Sequence, residues 1–321
     1  MRNRHLIATV GLFGLLAVLP GFSVLLDQPY FLIVGTKILI YGIAAISLDL
    51  LLGYGGMVSF GHAAFLGVGA YVVGISSFHA QSLKIYDFGV GREALIVWPL
   101  AILASAFFAA LIGSLSLRTK GVQFIMITLA FAQMLFFMTV SLEVYGGDDG
   151  LGLSGRNQIV GLSLDNDMVF YYVCFCSLGS FFYFCQKLIT SRFGRIIQGI
   201  RQNPLRMETL GYPIYRYQLI CFVIAGAGAG LAGVLAANQT TFVSPDLLHW
   251  SKSGEIMIMV ILGGMGTLLG PILGGAVLIG FEEGLARYTS HWMIFLGTLL
   301  IVMVLMLRRG LYGLFVRGHS E

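Results

Sequence analysis

Five arginines stand close together in one polar segment of this sequence, residues 191–217, against a single acid, Glu208. A guanidinium group is a rigid fork of donors that recognises carboxylates, so this composition suits contact with acidic groups on another surface. Long apolar runs flank the segment on both sides, and a basic loop between two membrane spans is expected to face the cytoplasm. The arginines are Arg192, Arg195, Arg201, Arg206 and Arg216.

The middle of this segment predicts a short helix with a defined start and stop. Asn203 can accept from free backbone N–H groups as an N-cap, and Pro204 suits the first helical position, where no donor is needed. A helix over residues 205–210 follows, and Gly211 suits a left-handed C-terminal stop. We interpret this element as a docking helix that inserts into a cytoplasmic partner; a loop that only sets topology is the alternative. Its apolar surface would come from Leu205, Met207 and Leu210.

The sequence contains no motif for nucleotide binding or hydrolysis. It has no P-loop, no G-x-S-x-G, no H-E-x-x-H and no dinucleotide fingerprint. Its four cysteines lie in apolar segments, and no cysteine and histidine cluster has metal-ligand spacing. We therefore predict neither an enzyme nor a cofactor or metal site. Any uphill transport would draw its energy from an ion gradient or from a separate subunit.

Composition assigns the chain to the integral membrane proteins. Of its 321 residues, 57% are hydrophobic and 11% are charged, whereas soluble domains carry roughly 25% charged residues. The net charge of +4 is small and gives no indication of nucleic-acid binding. We expect an all-α polytopic protein in which residues 1–321 form a single transmembrane domain embedded in the lipid bilayer.

Apolar runs of about 20 residues predict about ten transmembrane helices. Threading them in order leaves both termini in the cytoplasm and places most of the 19 lysines and arginines on that side. The first run is expected to be a retained helix rather than a cleaved signal peptide. The predicted spans are about 6–26, 31–52, 63–78, 95–117, 121–142, 168–190, 217–238, 248–264, 268–286 and 291–307.

Two glycine-rich turns, residues 55–62 and 263–271, resemble each other. Each lies at the inner end of one predicted span and opens the next, which indicates either an internal repeat or chance similarity. Glycine permits close backbone approach, so we expect these turns to approach a translocation route or a neighbouring helix. The candidate pathway or gate residues here are Gly55, Gly56, Ser59, Gly61, His62, Gly263, Gly264 and Gly270.

Charged residues outside the basic segment offer further candidates. The longest external loop, residues 143–167, carries Asp148 and Asp149 among glycines; we consider an external gate or a contact for an extracytoplasmic partner, against a flexible solvated loop. Asp49, Glu282 and Glu283 lie inside predicted spans near their ends. Such groups often line a pathway, although snorkelling to water would explain them equally well.

The sequence resembles the membrane permease subunits of bacterial ABC importers for branched-chain amino acids over about residues 43–313. Three blocks and a final RRGLYGLF carry this resemblance. The segments LRTKGVQFIMITLAFAQM and GGDDGL are more similar to the M-type subunit than to its H-type partner. The blocks are LLGYGGMVSFGHAAFLGVGAY (51–71), FGRIIQGIRQNPLRMETLGYPIYRYQLICFVIAGAGAGLAGVL (193–235) and LGGMGTLLGPILGGAVL (262–278).

The resemblance implies a type II importer fold in the bacterial inner membrane and import of a hydrophobic, branched-chain amino acid. It implies as partners a second permease subunit in a heterodimer, two ATPase subunits that bind the ATP, and a periplasmic solute-binding protein. Residues 191–217 match the cytoplasmic ATPase-docking loop, although Thr209 and Leu210 after Glu208 depart from the family's E-A-A pattern. The implied coupling residues are Gly194, Arg201, Asn203, Pro204, Leu205, Arg206, Met207, Glu208, Leu210 and Gly211.

Two other functions remain open at this point. A permease of the same family for urea or a short amide would differ only in pocket residues, which the sequence does not identify. An ion-coupled secondary transporter would need ionisable groups or unwound cation sites at mid-membrane depth, and the sequence offers few.

Overall fold

The computed structural model describes residues 2–25, 28–82, 93–159, 164–286 and 310–316, and four single residues between 294 and 301. The described chain is helical apart from short turns and one two-stranded ladder. Its helices are α1 Arg2–Leu25, α2 Pro29–Asp49, α3 His62–Ser82, α4 Ala94–Ser116, α5 Val122–Val140, α6 Asp167–Thr190, α7 Arg192–Gln202, α8 Pro204–Thr209, α9 Ile214–Thr240, α10 Trp250–Gly263, α11 Gly270–Ala286 and α12 Gly310–Val316.

Six helices in the described part of the chain are long and apolar enough to cross a membrane. They are Pro29–Tyr54, in which a π-helical segment Leu50–Tyr54 continues α2, and His62–Ala80, Ala94–Ser116, Val122–Val140, Asp167–Thr190 and Ile214–Thr240. The protein is therefore an all-α, multi-pass membrane protein. At 14 and 17 residues, α10 and α11 are shorter than the predicted spans 248–264 and 268–286.

The described residues do not decide two other predicted spans. The first, 6–26, falls in the 24-residue helix α1, in which Thr9–Gly21 is apolar. The last, 291–307, lies outside the described residues except for the four single ones. The number of ten spans thus stays a prediction.

Helix α9 lies at the centre of the bundle, in contact with α2, α3 and α4. Its glycines let the neighbouring backbones come close, as small residues do in membrane bundles. A Cβ added to Gly69 of α3 would lie 2.8 Å from the Cα of Gly230 in α9. Helices α4, α5 and α6 carry large exposed apolar side chains such as Leu103, Phe107 and Phe137, which suits a surface that faces lipid.

The two ends of the bundle differ in structure. Residues 191–217 lie at one end, which we call the loop end, and the turn between α4 and α5 lies there too, because the Tyr215 hydroxyl donates to Ser114 O at 2.9 Å. The opposite end, which we call the ladder end, holds β1 Leu151–Gly152 paired antiparallel with β2 Phe242–Val243. Helix α9 runs from the loop end to this ladder.

Candidate functional site

The basic segment folds as two short helices, of which the sequence analysis predicted only the second. The first, α7, is capped by Ser191, whose Oγ accepts from the Gly194 amide at 3.3 Å. It buries Gly194, Ile197 and Ile200 against the bundle, and Arg192 and Arg195 are exposed. The spacing of these three residues, one turn apart, is the signal from which α7 could have been found.

The second helix, α8, confirms the predicted start and stop. The Asn203 side chain accepts from the Arg206 amide at 3.0 Å, and Pro204 is the first helical residue. Gly211 has φ +83°, the left-handed conformation expected of a C-terminal stop, and its amide donates to Glu208 O at 2.9 Å. The helix ends at Thr209, one residue earlier than predicted.

The apolar surface of α8 is smaller than predicted. Leu205 and Leu210 are 71% and 62% exposed and point away from the bundle. Met207 instead turns back onto α7, where a Cβ added to Gly199 would lie 2.9 Å from its Sδ atom. Met207 is only partly exposed and so offers less apolar surface than the two leucines, because its flexible side chain fills the gap over a glycine. Arg206 and Glu208 are exposed beside the two leucines.

Arg201 joins α7 to the first glycine-rich turn and lies beside the second, where a Cβ added to Gly266 would lie 3.6 Å from its Nη1 atom. Its Nη1 donates to Gly53 O in the π-helical segment just before the first turn. Its side chain also lies over Gly56, where an added Cβ would lie 2.9 Å from the Arg201 Cγ atom. In the second turn, the Gly266 amide donates to Asp49 Oδ1 at 2.8 Å. We call Asp49, Gly53, Gly56, Arg201 and Gly266 the arginine junction.

Asp49 is the buried acid of the arginine junction. It is fully buried, so the snorkelling explanation for this residue is wrong. Its second oxygen, Oδ2, is buried and accepts no hydrogen bond from the described part of the chain. The positive charge of Arg201 attracts the Asp49 carboxylate. The sequence analysis singled out Asp49 and Arg201 separately but missed Gly53 and Gly266, because their contacts join residues far apart in the sequence.

The predicted close approach to a neighbouring helix is confirmed at Gly61 of the first turn, whereas Gly263 and Gly270 approach each other within the second turn. A Cβ added to Gly61 would lie 2.7 Å from Thr128 O of α5, and one added to Gly270 would lie 2.7 Å from Gly264 O within its own turn. Gly264 has φ +117°. Gly263 lies against Gly270, so the second turn is closed on itself. These contacts explain the glycines by packing, and their role in a pathway stays a prediction.

Three other residues of the first turn have structural partners. Gly55 ends the π-helical segment, and its amide donates to Leu50 O at 3.1 Å. Ser59 is buried and its Oγ accepts from the Gly61 amide at 3.3 Å. The His62 side chain is fully buried, with Nε2 2.7 Å from Ser47 Oγ, so it lies inside the contact between α2 and α3.

The segment that carries Asp148 and Asp149 is held in place at the ladder end. Both acids are exposed on a short 3₁₀ turn, Gly147–Asp149. The following residues pair with β2, and the preceding Tyr145 hydroxyl lies 3.0 Å from His79 Nε2. The two acids are thus presented to solvent from an anchored turn, a geometry that suits contact with another molecule.

Comparisons with known proteins add evidence of a different kind. The family model for the "Branched-chain amino acid transport system / permease component" matches residues 30–304. The chain is 26% identical to the "High-affinity branched-chain amino acid transport system permease protein LivM" of Salmonella typhimurium and 25% identical to that of Escherichia coli. Each alignment covers 87% of this chain and 69% of the relative.

A local similarity reaches a second group of permeases. The chain is 30% identical over 127 residues, 37% of either chain, to the "Autoinducer 2 import system permease protein LsrC" of Klebsiella pneumoniae. No solved structure matches the chain.

Proposed function

The chain belongs to the family of branched-chain amino acid transport permease components, and from this premise we propose that it imports a hydrophobic, branched-chain amino acid as part of an ABC importer. It is the permease component in such a system and a multi-pass membrane protein. In our proposal a periplasmic binding protein delivers the substrate, and two separate ATPase subunits bind ATP and supply the energy. A second permease subunit completes the membrane part as a heterodimer.

The finer features of this proposal follow the family resemblance. We assign the type II importer fold with about ten spans in the inner membrane, and both termini to the cytoplasm. The loop end then faces the ATPase subunits, and the ladder end, with Asp148 and Asp149, faces the binding protein. The excess of arginine in residues 191–217 supports this orientation, because basic loops stay on the cytoplasmic side.

The observation that carries the proposal is the arrangement of α7 and α8. Leu205 and Leu210 point outwards from α8, where an ATPase groove could enclose them. Arg201 points inwards from the same segment to Gly53 and Gly56. A force applied to α8 would therefore reach the ends of α2 and α11 through one side chain and its short helix.

Matched substitutions at the two ends of the bundle test this docking surface. Leu205 and Val144 are 71% and 72% exposed, but Val144 lies beside the ladder end. We expect Leu205→Ser to reduce co-purification of the ATPase subunits and substrate-stimulated ATP hydrolysis, because it removes apolar surface from the contact. Val144→Ser should leave both unchanged. Normal association and coupling in the Leu205→Ser complex would contradict the assignment of α8 as the docking element.

Orientation is tested by labelling single cysteines placed at Gln202 and Val144 in a variant without the four native cysteines. Both positions are exposed, at opposite ends of the bundle. A membrane-impermeant maleimide added to intact cells should label Val144→Cys and should label Gln202→Cys only after the inner membrane is opened. Labelling of Gln202→Cys in cells with an intact inner membrane would invert the proposed topology.

The substrate is tested by uptake into proteoliposomes that hold the complete complex and its binding protein. We expect leucine, isoleucine and valine to be accumulated with ATP, and urea and acetamide not to be. Accumulation of an amide instead would replace the amino acid by the alternative substrate class. Accumulation without ATP, driven by an ion gradient, would reject the ABC importer altogether.

A further inference from the structure

Ionisable side chains are distributed unevenly among the helices. Helices α4, α5 and α6 carry no Asp, Glu, Lys or Arg outside their terminal turns. Helices α2, α10 and α11, which contact one another, carry five such residues besides Asp49, of which Lys252 lies in the first turn of α10 and Glu283 in the last turn of α11. Charged groups at membrane depth are costly and usually face a water-filled cavity or pair with each other. The five residues are Lys37, Lys252, Glu255, Glu282 and Glu283, which we call the ionic network.

Lys37 is the best-connected member of the ionic network. Its Nζ lies 2.8 Å from Glu283 Oε1 and 3.6 Å from Glu282 Oε1, so one cation of α2 contacts two acids of α11. The Tyr30 hydroxyl donates to Glu283 Oε2 at 2.8 Å. Lys37 lies two helical turns beyond Pro29, roughly 12 Å along α2. Lys37 is therefore set back from the end of α2, whereas its partner Glu283 lies in the last turn of α11.

A second ion pair adjoins the first. The Nζ of Lys252 lies 2.7 Å from Glu255 Oε2, both on α10. Lys252 also interacts electrostatically with Glu282, and Tyr41 interacts with both ion pairs. Two lysines and three glutamates thus form one network with a net charge of −1. It contains both of the charged groups, ammonium and carboxylate, that would be needed to bind a zwitterion.

The network remains accessible. The side chains of Lys37, Glu282 and Glu283 are 28–29% exposed, and those of Lys252 and Glu255 are 30% and 42% exposed. Lipid chains offer such groups no hydrogen bonds, so this face suits a water-filled route or a cover by another subunit, not lipid. A partly exposed ion pair can exchange one partner for a ligand, because the incoming group replaces the hydrogen bond that is given up.

We propose that the ionic network binds the α-ammonium and α-carboxylate groups of an amino acid on its route through the membrane. Lys37 and Lys252 would take the carboxylate, and the glutamates, which outnumber the lysines by one, would take the ammonium group. The zwitterion has no net charge, so its arrival changes no charge balance in the network. An uncharged amide or urea cannot replace either half of an ion pair. This inference rests on the proposed function and adds to it the residues that recognise the substrate class.

A purely structural clamp between α2 and α11 is the competing explanation for Lys37 and Glu283. A clamp needs only opposite charges at the two positions. Recognition of a zwitterion also needs lysine's donors and the carboxylates in their particular places. Binding measurements on charge-neutral, conservative and swapped variants separate these explanations.

The test uses the complete complex of permease pair and ATPase subunits in lipid nanodiscs, without the binding protein, so that only the membrane site can bind substrate. The probe is radiolabelled leucine, with leucinamide, which lacks the carboxylate, and 4-methyl-2-oxopentanoate, which lacks the ammonium group, as competitors. We expect wild type to bind leucine at millimolar concentration and neither analogue to compete effectively. Absence of leucine binding to wild type would overturn the inference.

Lys37→Gln should weaken leucine binding roughly tenfold or more, the effect of one lost charge-assisted hydrogen bond. Lys37→Arg should retain most of the binding. The matched control is Lys187→Gln, since Lys187 lies near the loop end of α6, over the ring of Tyr183 and away from the network. Unchanged leucine binding in the Lys37→Gln complex would overturn the inference.

Two further variants keep the test decisive if Lys37→Gln does not assemble. Glu282→Gln preserves the 2.8 Å pair between Lys37 and Glu283 and should still weaken leucine binding. The swapped variant Lys37→Glu with Glu283→Lys should recover thermal stability but not binding; recovery of both would indicate a clamp alone. Failure of the proposed function gives a different result, because the complex with its binding protein would then accumulate no amino acid at all.

Discussion

Replacing Gly211 by alanine tests the docking helix in a way that separates backbone cost from steric cost. Gly211 has φ +83°, which L side chains rarely adopt, yet a Cβ added there meets nothing within 4 Å. The substitution therefore creates no clash, and its cost is that of the left-handed backbone alone, about 1–2 kcal/mol. This cost falls on α8, which has six residues and is too short to be stable by itself.

The end of α8 depends on this conformation. The Gly211 amide donates to Glu208 O, and the Tyr212 amide donates to Met207 O at 3.2 Å. If α8 must adopt this left-handed backbone in order to dock, its cost reduces the binding free energy. The ATPase subunits should then bind the Gly211→Ala complex roughly 5 to 30 times more weakly. The assay titrates ATPase subunits onto an immobilised permease pair in nanodiscs and follows substrate-stimulated ATP hydrolysis in parallel.

Gly121 provides the matched control at the same end of the bundle. It has φ +62° between α4 and α5, and a Cβ added there also meets nothing within 4 Å. Gly121→Ala should therefore carry a comparable backbone cost and leave ATPase binding unchanged. Gly211→Asn should recover much of the binding, because asparagine visits the left-handed conformation more readily. Equal weakening by both alanine variants, or normal binding by Gly211→Ala, would refute the reasoning.

Three further changes test other parts of the structure. Gly61→Ala should destabilise the complex by about 1–3 kcal/mol in thermal denaturation, because its Cβ would lie 2.7 Å from the backbone of α5, whereas Gly179→Ala, with no neighbour nearer than 3.9 Å, should not. Asp49→Asn keeps an acceptor for the second turn, so its melting temperature should exceed that of Asp49→Ala, which leaves the partly buried Gly266 amide without its acceptor at a cost of up to about 1–3 kcal/mol. Replacing Asp148 and Asp149 together by alanine should reduce uptake at limiting binding protein and leave basal ATPase activity intact; unchanged uptake would indicate a solvated turn only.

The features that could be predicted from the sequence are those set by local chemistry. Asn203, Pro204 and Gly211 act within a few residues of themselves, so the start and stop of α8 follow from side-chain and backbone preferences alone. The six long apolar helices likewise follow from the length of hydrocarbon that each must cross. In both cases the interactions that determine the structure lie within the same stretch of sequence.

The features that could not be predicted depend on contacts between distant segments. Arg201 contacts Gly53, 148 residues away, and Asp49 accepts from Gly266, 217 residues away. No local preference encodes either bond. The contact of Met207 with α7 was not predicted, because the space over Gly199 exists only once α7 has formed. The sequence analysis therefore identified several junction residues without their partners.

Helices α2 and α11 connect the two sites physically. Asp49 and Lys37 lie on α2 twelve residues apart, roughly 18 Å along a continuous helix. The turn that contains Gly266 opens α11, and Glu283 lies in its last turn. The two helices are thus held together at the loop end through Asp49 and at the other end through Lys37. They also pack along their length, so a displacement of one at the arginine junction must shift the other or break an ion pair. Contact with α8 and contact with a zwitterion would therefore act on the same pair of helices, from opposite ends.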